Sequence, residues 1–164
     1  MLKHLLPIKL QKLSKDASHL SDHVETTIST ALKSIKSIKN IYHDINELKE
    51  SENPIMKEIY DALLDNAIEL YRHVAEITDR EYNEENLEDL SGVLHKVKTH
   101  HKVFLENLAK YVAEGKLQEV EIGSLINIDT YVYQSAKTIV AAVKHTYLSD
   151  ADSKTFEKIS EFKE

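Results

Sequence analysis

The stretch LQKLSKDASHLSDHVETTISTALKSIKSIKNIYHDI, residues 10–45, decides the fold of this chain. Apolar residues recur through it at intervals of three and four, at Leu10, Leu13, Ala17, Leu20, Val24, Ile28, Ala31, Ile35, Ile38, Tyr42 and Ile45. This spacing predicts one amphipathic helix with a single stutter between Val24 and Ile28. A helix of that length spans ~54 Å, so it needs other long helices to lie against.

Composition points to the same class. The 164 residues include only three Gly and two Pro, while 41% are hydrophobic and 30% charged. Such a mixture is typical of long amphipathic helices rather than of disorder or a sheet rich in turns. The net charge of -7 argues against a surface for nucleic-acid phosphates, and the absence of Cys excludes disulfides and thiolate chemistry.

Three further long amphipathic segments follow residues 10–45. Asn53 and Pro54 provide an N-cap and a first helical residue, Asn83 can cap the next helix, and Gly115 suits a left-handed C-terminal residue. We therefore predict an all-α fold, an antiparallel bundle of four long helices plus a short C-terminal helix, in a single domain of residues 1–164. The predicted parts are an irregular lead-in at 1–7 and helices at about 8–48, 54–79, 84–114, 119–148 and 150–162.

Two groups of residues could form a metal or ligand site. His19 and His23 lie one helical turn apart, with Asp16 and Asp22 close by in sequence. We take Asp22 and His23 as the candidate metal ligands, with a solvated polar face as the alternative reading. Ferritin-like chemistry is not expected, because the chain lacks the full set of Glu and Glu-x-x-His motifs that such bundles use.

A second pattern concerns polar residues inside the apolar stripes. Asn66, His101 and Ser135 each interrupt a stripe near the middle of a predicted helix, so they could meet in one buried polar layer, with Thr27 as a further member. Such a layer would fix the helix register, in which case leucine at position 101 should be tolerated without loss of stability. A ligand site in the bundle core and a chance arrangement are the alternatives.

The chain carries no recognisable catalytic motif. It has no Gly-rich phosphate loop, G-x-S-x-G, H-E-x-x-H or EF-hand loop. We therefore predict neither enzymatic activity nor a cofactor.

Two segments carry a family resemblance. EGKLQEVEIGSLINIDTYVYQSAKTIVAAVKH, residues 114–145, and SHLSDHVETTI, residues 18–28, resemble the PhoU-like cytoplasmic domain of bacterial sodium-dependent phosphate cotransporters. The family's metal motif has a pattern like ERIGDHAENIA. Asp22, His23 and Glu25 match it, but Ser18 replaces its first Glu.

The second copy of that motif departs further from the family. Thr130 and Gln134 stand at its two carboxylate positions. The iron or zinc clusters of the family are therefore not carried over, and weak or no stoichiometric metal binding is expected.

The resemblance implies a non-enzymatic regulatory or accessory domain linked to sodium-dependent phosphate transport. Its partner would be the membrane domain of the transporter or a signalling protein, with a homodimer also open, and its place would be the cytoplasmic face of the membrane. No apolar run here reaches the ~18 residues of a membrane span, so a transporter link implies a fragment of a longer protein. The alternatives are a metal- or small-ligand-binding bundle and a generic helical protein interaction module.

Overall fold

The computed structural model describes residues 5–81 and 85–159, with the side chains of residues 21–81, 85–149 and 151–158. Its helices are α1 Leu5–Asn40, α2 Tyr42–Glu50, α3 Pro54–Thr78, α4 Glu85–Ala113, α5 Glu119–Tyr147 and α6 Asp150–Ile159. No strand occurs in these two ranges. Long helices packed antiparallel, followed by a short C-terminal helix, confirm the predicted fold class.

Local chemistry sets the helix ends. The Asn53 side chain accepts a hydrogen bond from the Ile55 amide at 3.0 Å, and Pro54 is the first residue of α3, as the sequence predicts. At the end of α4, Gly115 adopts φ 67°, and the Lys116 amide donates to the Tyr111 carbonyl. This is the Schellman arrangement that the glycine predicts. The predicted cap Asn83 lies outside the described residues.

The first helix differs from the single segment 8–48 that the periodicity predicts. Helix begins at Leu5 and is interrupted at Ile41, whose amide donates to the Ile38 carbonyl, three residues back, at 3.2 Å. The Ile41 side chain is fully buried. The local tightening therefore redirects α2 so that it packs against α3 and α5 as well as α1.

Helix α1 packs chiefly against α5, and small hydroxyl side chains line the contact. The Oγ atoms of Ser34 and Ser135 lie 2.8 Å apart, and each is 3.0 Å from the backbone oxygen of the other serine. We call this contact between α1 and α5 the seam. Thr27 marks one end of it, and its hydroxyl accepts from Thr146 at 3.2 Å. Small residues let two helix backbones approach closely, so the seam fixes how α1 and α5 lie against each other.

Part of the apolar stripe that predicts α1 faces away from the bundle, although Ile38 and Ile45 of the same stripe pack on the core. Ser34, Ile41 and Leu48 are buried, while the predicted core residues Val24, Ile28, Ile35 and Tyr42 are 50–68% exposed. The side chains of residues 10–20 lie outside the described part. The prediction is wrong for these four residues because the hydroxyl face of α1, and not its most apolar face, packs on α5.

Two apolar cores lie toward the two ends of the bundle. The core beside α6 contains Val74, Ile77, Leu90, Val93, Leu94, Val140, Ala141, Val143, Leu148 and Phe156. The core beside α2 contains Ile41, Leu48, Met56, Ile59, Leu108, Leu125 and Ile128. The middle of the bundle, where α3, α4 and α5 face one another, is left to the site described below.

Helix α6 closes the first of these cores. Ser149 caps it by accepting from the Asp152 amide at 3.2 Å, and Phe156 is fully buried. The Lys144 ammonium, 2% exposed, donates to Glu157 at 3.0 Å and so ties α5 to α6. Within the described ranges, no helix is both long enough and apolar enough to cross a membrane.

The contact between Ser34 and Ser135 leads to a prediction about the side-chain size that the seam tolerates. We expect Ser135→Leu to lower the free energy of unfolding by about 1–3 kcal/mol, because a branched side chain overfills a seam built for hydroxymethyl groups. Ser29→Leu, on the exposed side of α1, should change it by no more than about 0.5 kcal/mol. Urea unfolding followed by circular dichroism measures both, and equal effects would mean that α1 and α5 do not pack closely.

Candidate functional site

A cavity of about 480 Å³ occupies the middle of the bundle, within the range of small-molecule sites. Helices α3, α4 and α5 form most of its wall, and α1 and α2 contribute Ile38, Ile45 and Leu48. Most lining residues are apolar, among them Ile59, Leu63, Leu70, Val97, Phe104, Leu108, Ile128, Val132 and Ala136. Leu64, Tyr71 and Val103 also line it and are 44–45% exposed, so the cavity opens to solvent between α3 and α4.

An imidazole–carboxylate pair sits in this wall. His101 Nδ1 on α4 lies 2.6 Å from Asp129 Oδ2 on α5, which makes a short, strong hydrogen bond. The Asp129 side chain is 6% exposed and that of His101 is 28% exposed. Tyr133, one turn beyond Asp129, stacks on the His101 ring with centroids 4.2 Å apart and planes 12° apart. The carboxylate and the stacked ring together hold the imidazole in one orientation.

Burial governs the electrostatics of this group. It raises the pKa of Asp129 above the ordinary value, and the adjacent His101 offsets part of that shift. The pKa of Tyr133 is also raised, first by burial and then by the Asp129 carboxylate. Both raised pKa values mean that a negative charge is unfavourable in the cavity wall. A neighbouring group that shares a proton with Asp129, or that carries a positive charge, therefore stabilises Asp129 there.

Polar residues gather on the α3 and α4 parts of the wall. Lys96 Nζ donates to Glu69 Oε1 at 2.6 Å, and His73 Nδ1 lies 2.9 Å from the Glu69 carbonyl oxygen. The hydrogen bond and charge of Lys96 hold the pKa of Glu69 below its usual range. His100 completes this group on α4. The cavity therefore combines an apolar interior with a charged rim.

The three predicted layer residues all line this cavity, but they do not bond to one another. Ser135 pairs with Ser34 and His101 with Asp129, while no hydrogen bond joins Asn66 to either of them in the described part of the chain. The predicted layer is thus two separate polar contacts and one amide beside a shared space. Leucine at position 101 is no longer expected to be tolerated, because it would leave a buried carboxylate without its partner.

The predicted metal ligands lie elsewhere. Asp22 and His23 are both exposed, and His23 Nδ1 lies 3.4 Å from the His145 carbonyl oxygen. The described residues bring no third ligand to them. His43, Asp44 and Glu47 on α2 do form a cluster with ligand atoms within 4.8 Å of one another, but it is a surface group whose Asp44 already accepts from Asn127.

Two residues of these contacts, Asp129 and Ser34, are not foreseen from the sequence. Asp129 follows Leu125 by four residues and precedes Val132 by three, so a carboxylate occupies an apolar helical position. Ser34 likewise precedes Ile38 and Ile41 at helical spacing. In each case the signal is a polar residue that lies at helical spacing from apolar residues. Those apolar residues form a second face of the helix, next to the face with the strongest apolar stripe.

Comparison with protein-family models, with curated proteins and with solved structures finds no match to this chain. The resemblance to PhoU-like domains therefore stays a prediction.

The raised pKa of Asp129 leads to a pH-dependence test. A pKa above the unfolded value means that the folded chain binds this proton more tightly, so the contribution of Asp129 to stability falls as pH rises through the folded-state pKa. Asparagine keeps an oxygen that accepts from His101 but does not titrate. We expect the free energy of unfolding of Asp129→Asn, relative to the parent, to improve as pH rises from about 4 towards neutrality.

Urea unfolding at a series of pH values measures this difference. Asp61→Asn, an exposed carboxylate on α3, serves as the matched control. A difference between Asp129→Asn and parent that stays constant over the series would contradict the raised pKa.

Proposed function

We propose that the chain is a non-enzymatic binding protein whose central cavity takes a small, largely apolar molecule. The observation that carries this proposal is the 480 Å³ cavity together with the pair of half-buried His101 and buried Asp129 in its wall. A bundle selected for stability alone would fill this space with leucine, because buried polar pairs commonly cost more than well-packed apolar groups. A polar pair placed in an apolar cavity is instead the pattern of ligand recognition.

The arrangement of His101 favours a ligand with one hydrogen-bonding group. Its Nδ1 is occupied by Asp129, while its Nε2 has no hydrogen-bond partner among the described residues. With the carboxylate stabilising an N–H at Nδ1, the imidazole can offer Nε2 to a polar group of the ligand, and protonation of the ring makes it a donor. The surrounding Val97, Phe104 and Val132 suit an apolar body.

The neighbouring hydroxyl supports the proposal of binding rather than catalysis. A His–Asp pair could serve a nucleophile, as it does in hydrolases. Ser135 lines the same cavity, but its hydroxyl is 2.8 Å from Ser34 Oγ in the α1–α5 seam. Its contact with the backbone oxygen of Ser34 also holds it there, so this hydroxyl is directed to α1 and not to the His101 ring.

A cavity-filling variant tests the proposal. Anilinonaphthalene sulfonate, an apolar fluorescent probe with one anionic group, is expected to bind the folded parent with saturation. Ala67→Phe places a ring in the cavity wall and should weaken that binding by at least roughly tenfold. Ala109→Phe, on the exposed side of α4, should leave it unchanged. Fluorescence titration measures all three, and equal affinity of Ala67→Phe and parent would contradict a cavity site.

A second candidate function is regulation of sodium-dependent phosphate transport, through contacts of the helical faces with a transporter membrane domain or a signalling protein. Its support is the residue resemblance of segments 18–28 and 114–145 together with the long antiparallel helices that PhoU-like domains share. The exposed Val24, Ile28 and Ile35 on α1 add an apolar face suited to protein contact. In this case the chain would lie at the cytoplasmic face of the membrane, as part of a larger protein.

The complete reading frame tests the second candidate. If the chain regulates a transporter to which it is joined, the frame should continue upstream of Met1 into several apolar segments of about 20 residues. Transcript sequencing from the source organism would show this. A transcript with an in-frame stop codon directly upstream of Met1 would contradict the covalent link.

A further inference from the structure

An exposed apolar surface runs along α1. We call it the outer stripe and define it as Val24, Ile28, Leu32 and Ile35, which are 50–64% exposed. At ~100° per residue these positions fall within an arc of roughly 80° on the helix. The arc is centred roughly 120° away from Ser34, which α1 buries against α5. The outer stripe is thus a second face of the same helix, with no described element packed over it.

Charge is divided unevenly along this part of α1. Asp22 and Glu25 lie toward its N-terminal side, whereas Lys33, Lys36 and Lys39 lie toward its C-terminal side. Glu25 and Lys36 both border the outer stripe on the edge away from α5, at ~100° and ~120° from Val24. A partner helix that complements this surface must therefore be apolar in the centre, basic opposite Glu25 and acidic opposite Lys36.

We propose that the partner is the α1 helix of a second copy of this chain, packed antiparallel about a two-fold axis near Thr30. Reversing the helix about that point places Val24 opposite Ile35 of the second copy and Ile28 opposite Leu32 of the second copy. Glu25 then meets Lys36 of the second copy, and the two-fold axis repeats this pair. An isologous contact of this kind is closed, so the assembly stops at a dimer.

The charge distribution also selects the direction of pairing. In a parallel dimer the edge that carries Glu25 and Lys36 would face the opposite edge of the second copy, where Thr27, Ala31 and Ile38 carry no charge. Opposite charges at the edge of a helix pair set partner choice and orientation. The antiparallel arrangement is the one that gives both Glu25 and Lys36 an opposite charge.

Sedimentation velocity over a concentration series tests the dimer. The parent should sediment as a dimer that dissociates on dilution, and Ile28→Glu with Ile35→Glu should raise the dissociation constant by at least roughly 100-fold. Both positions are exposed, so circular dichroism should show the parental helix content. Val120→Glu, a 74% exposed position on α5, is the matched control and should dimerise as the parent does.

Charge reversal separates the antiparallel pair from general stickiness. Glu25→Lys alone gives two Lys–Lys contacts related by the two-fold axis, and Lys36→Glu alone gives two Glu–Glu contacts, so each should weaken the homodimer by roughly tenfold. Mixing the two single variants creates two attractive pairs and should restore the dimer as a heterodimer. Failure of the mixture to associate more tightly than either variant would overturn the proposed geometry.

Disulfide trapping reports the register directly, because the chain has no native cysteine. Val24→Cys and Ile35→Cys, mixed under mild oxidation, should form a crosslinked heterodimer faster than either variant crosslinks to itself. Faster self-crosslinking of each variant would indicate a parallel pair and overturn the proposal. A parent that stays monomeric throughout the concentration series would overturn it as well, leaving the outer stripe to another partner.

Discussion

The close approach of α1 and α5 is the constraint on which the rest of the bundle depends. Ser34 and Ser135 contact each other through hydroxyls and through each other's backbone oxygens, and bulky groups at either position would separate the helices. Two helices that approach this closely cannot rotate freely about their axes. The seam therefore also determines which elements the other faces of α1 and α5 contact. On α5, Asp129 and Tyr133 lie roughly 120–160° around the helix from Ser135 and are turned toward α4.

The cavity is a consequence of how the apolar residues are distributed. Packing is dense toward the two ends of the bundle, where Phe156 closes one core and Ile41 and Leu48 close the other. Between them, His101 and Asp129 satisfy each other across α4 and α5 and leave space on the α3 side. A buried pair is costly to break but adds little to stability when intact. Its position in the cavity wall is the basis of the proposal that the cavity binds a ligand.

The sequence predicts the architecture well because caps and spacing are local properties. Asn53, Gly115 and the short connections define where helices end, and the helices then have few ways to pack. The sequence predicts less well which face of each helix is buried. Val24, Ile28 and Ile35 of the strongest stripe of α1 are exposed. Hydrophobicity shows that a residue prefers burial but not which surface buries it, and a contact made by serines carries no apolar signal. The sequence does not identify Asp129 as a site residue for a related reason. A single carboxylate among apolar residues becomes informative only when His101 is known to lie across from it.

The cavity and the outer stripe lie on opposite sides of the α1–α5 seam. The cavity opens between α3 and α4, whereas the outer stripe faces away from α5 on α1. A molecule in the cavity and a second chain on the outer stripe therefore do not compete for the same residues. Two routes connect the cavity to α1: α5, which carries Asp129 and Ser135 less than two turns apart, and Ile38 of α1, which lines the cavity itself. Since helices respond to strain as rigid elements, a ligand can act on α1 through a shift of α5 at the serine contact or through Ile38 directly.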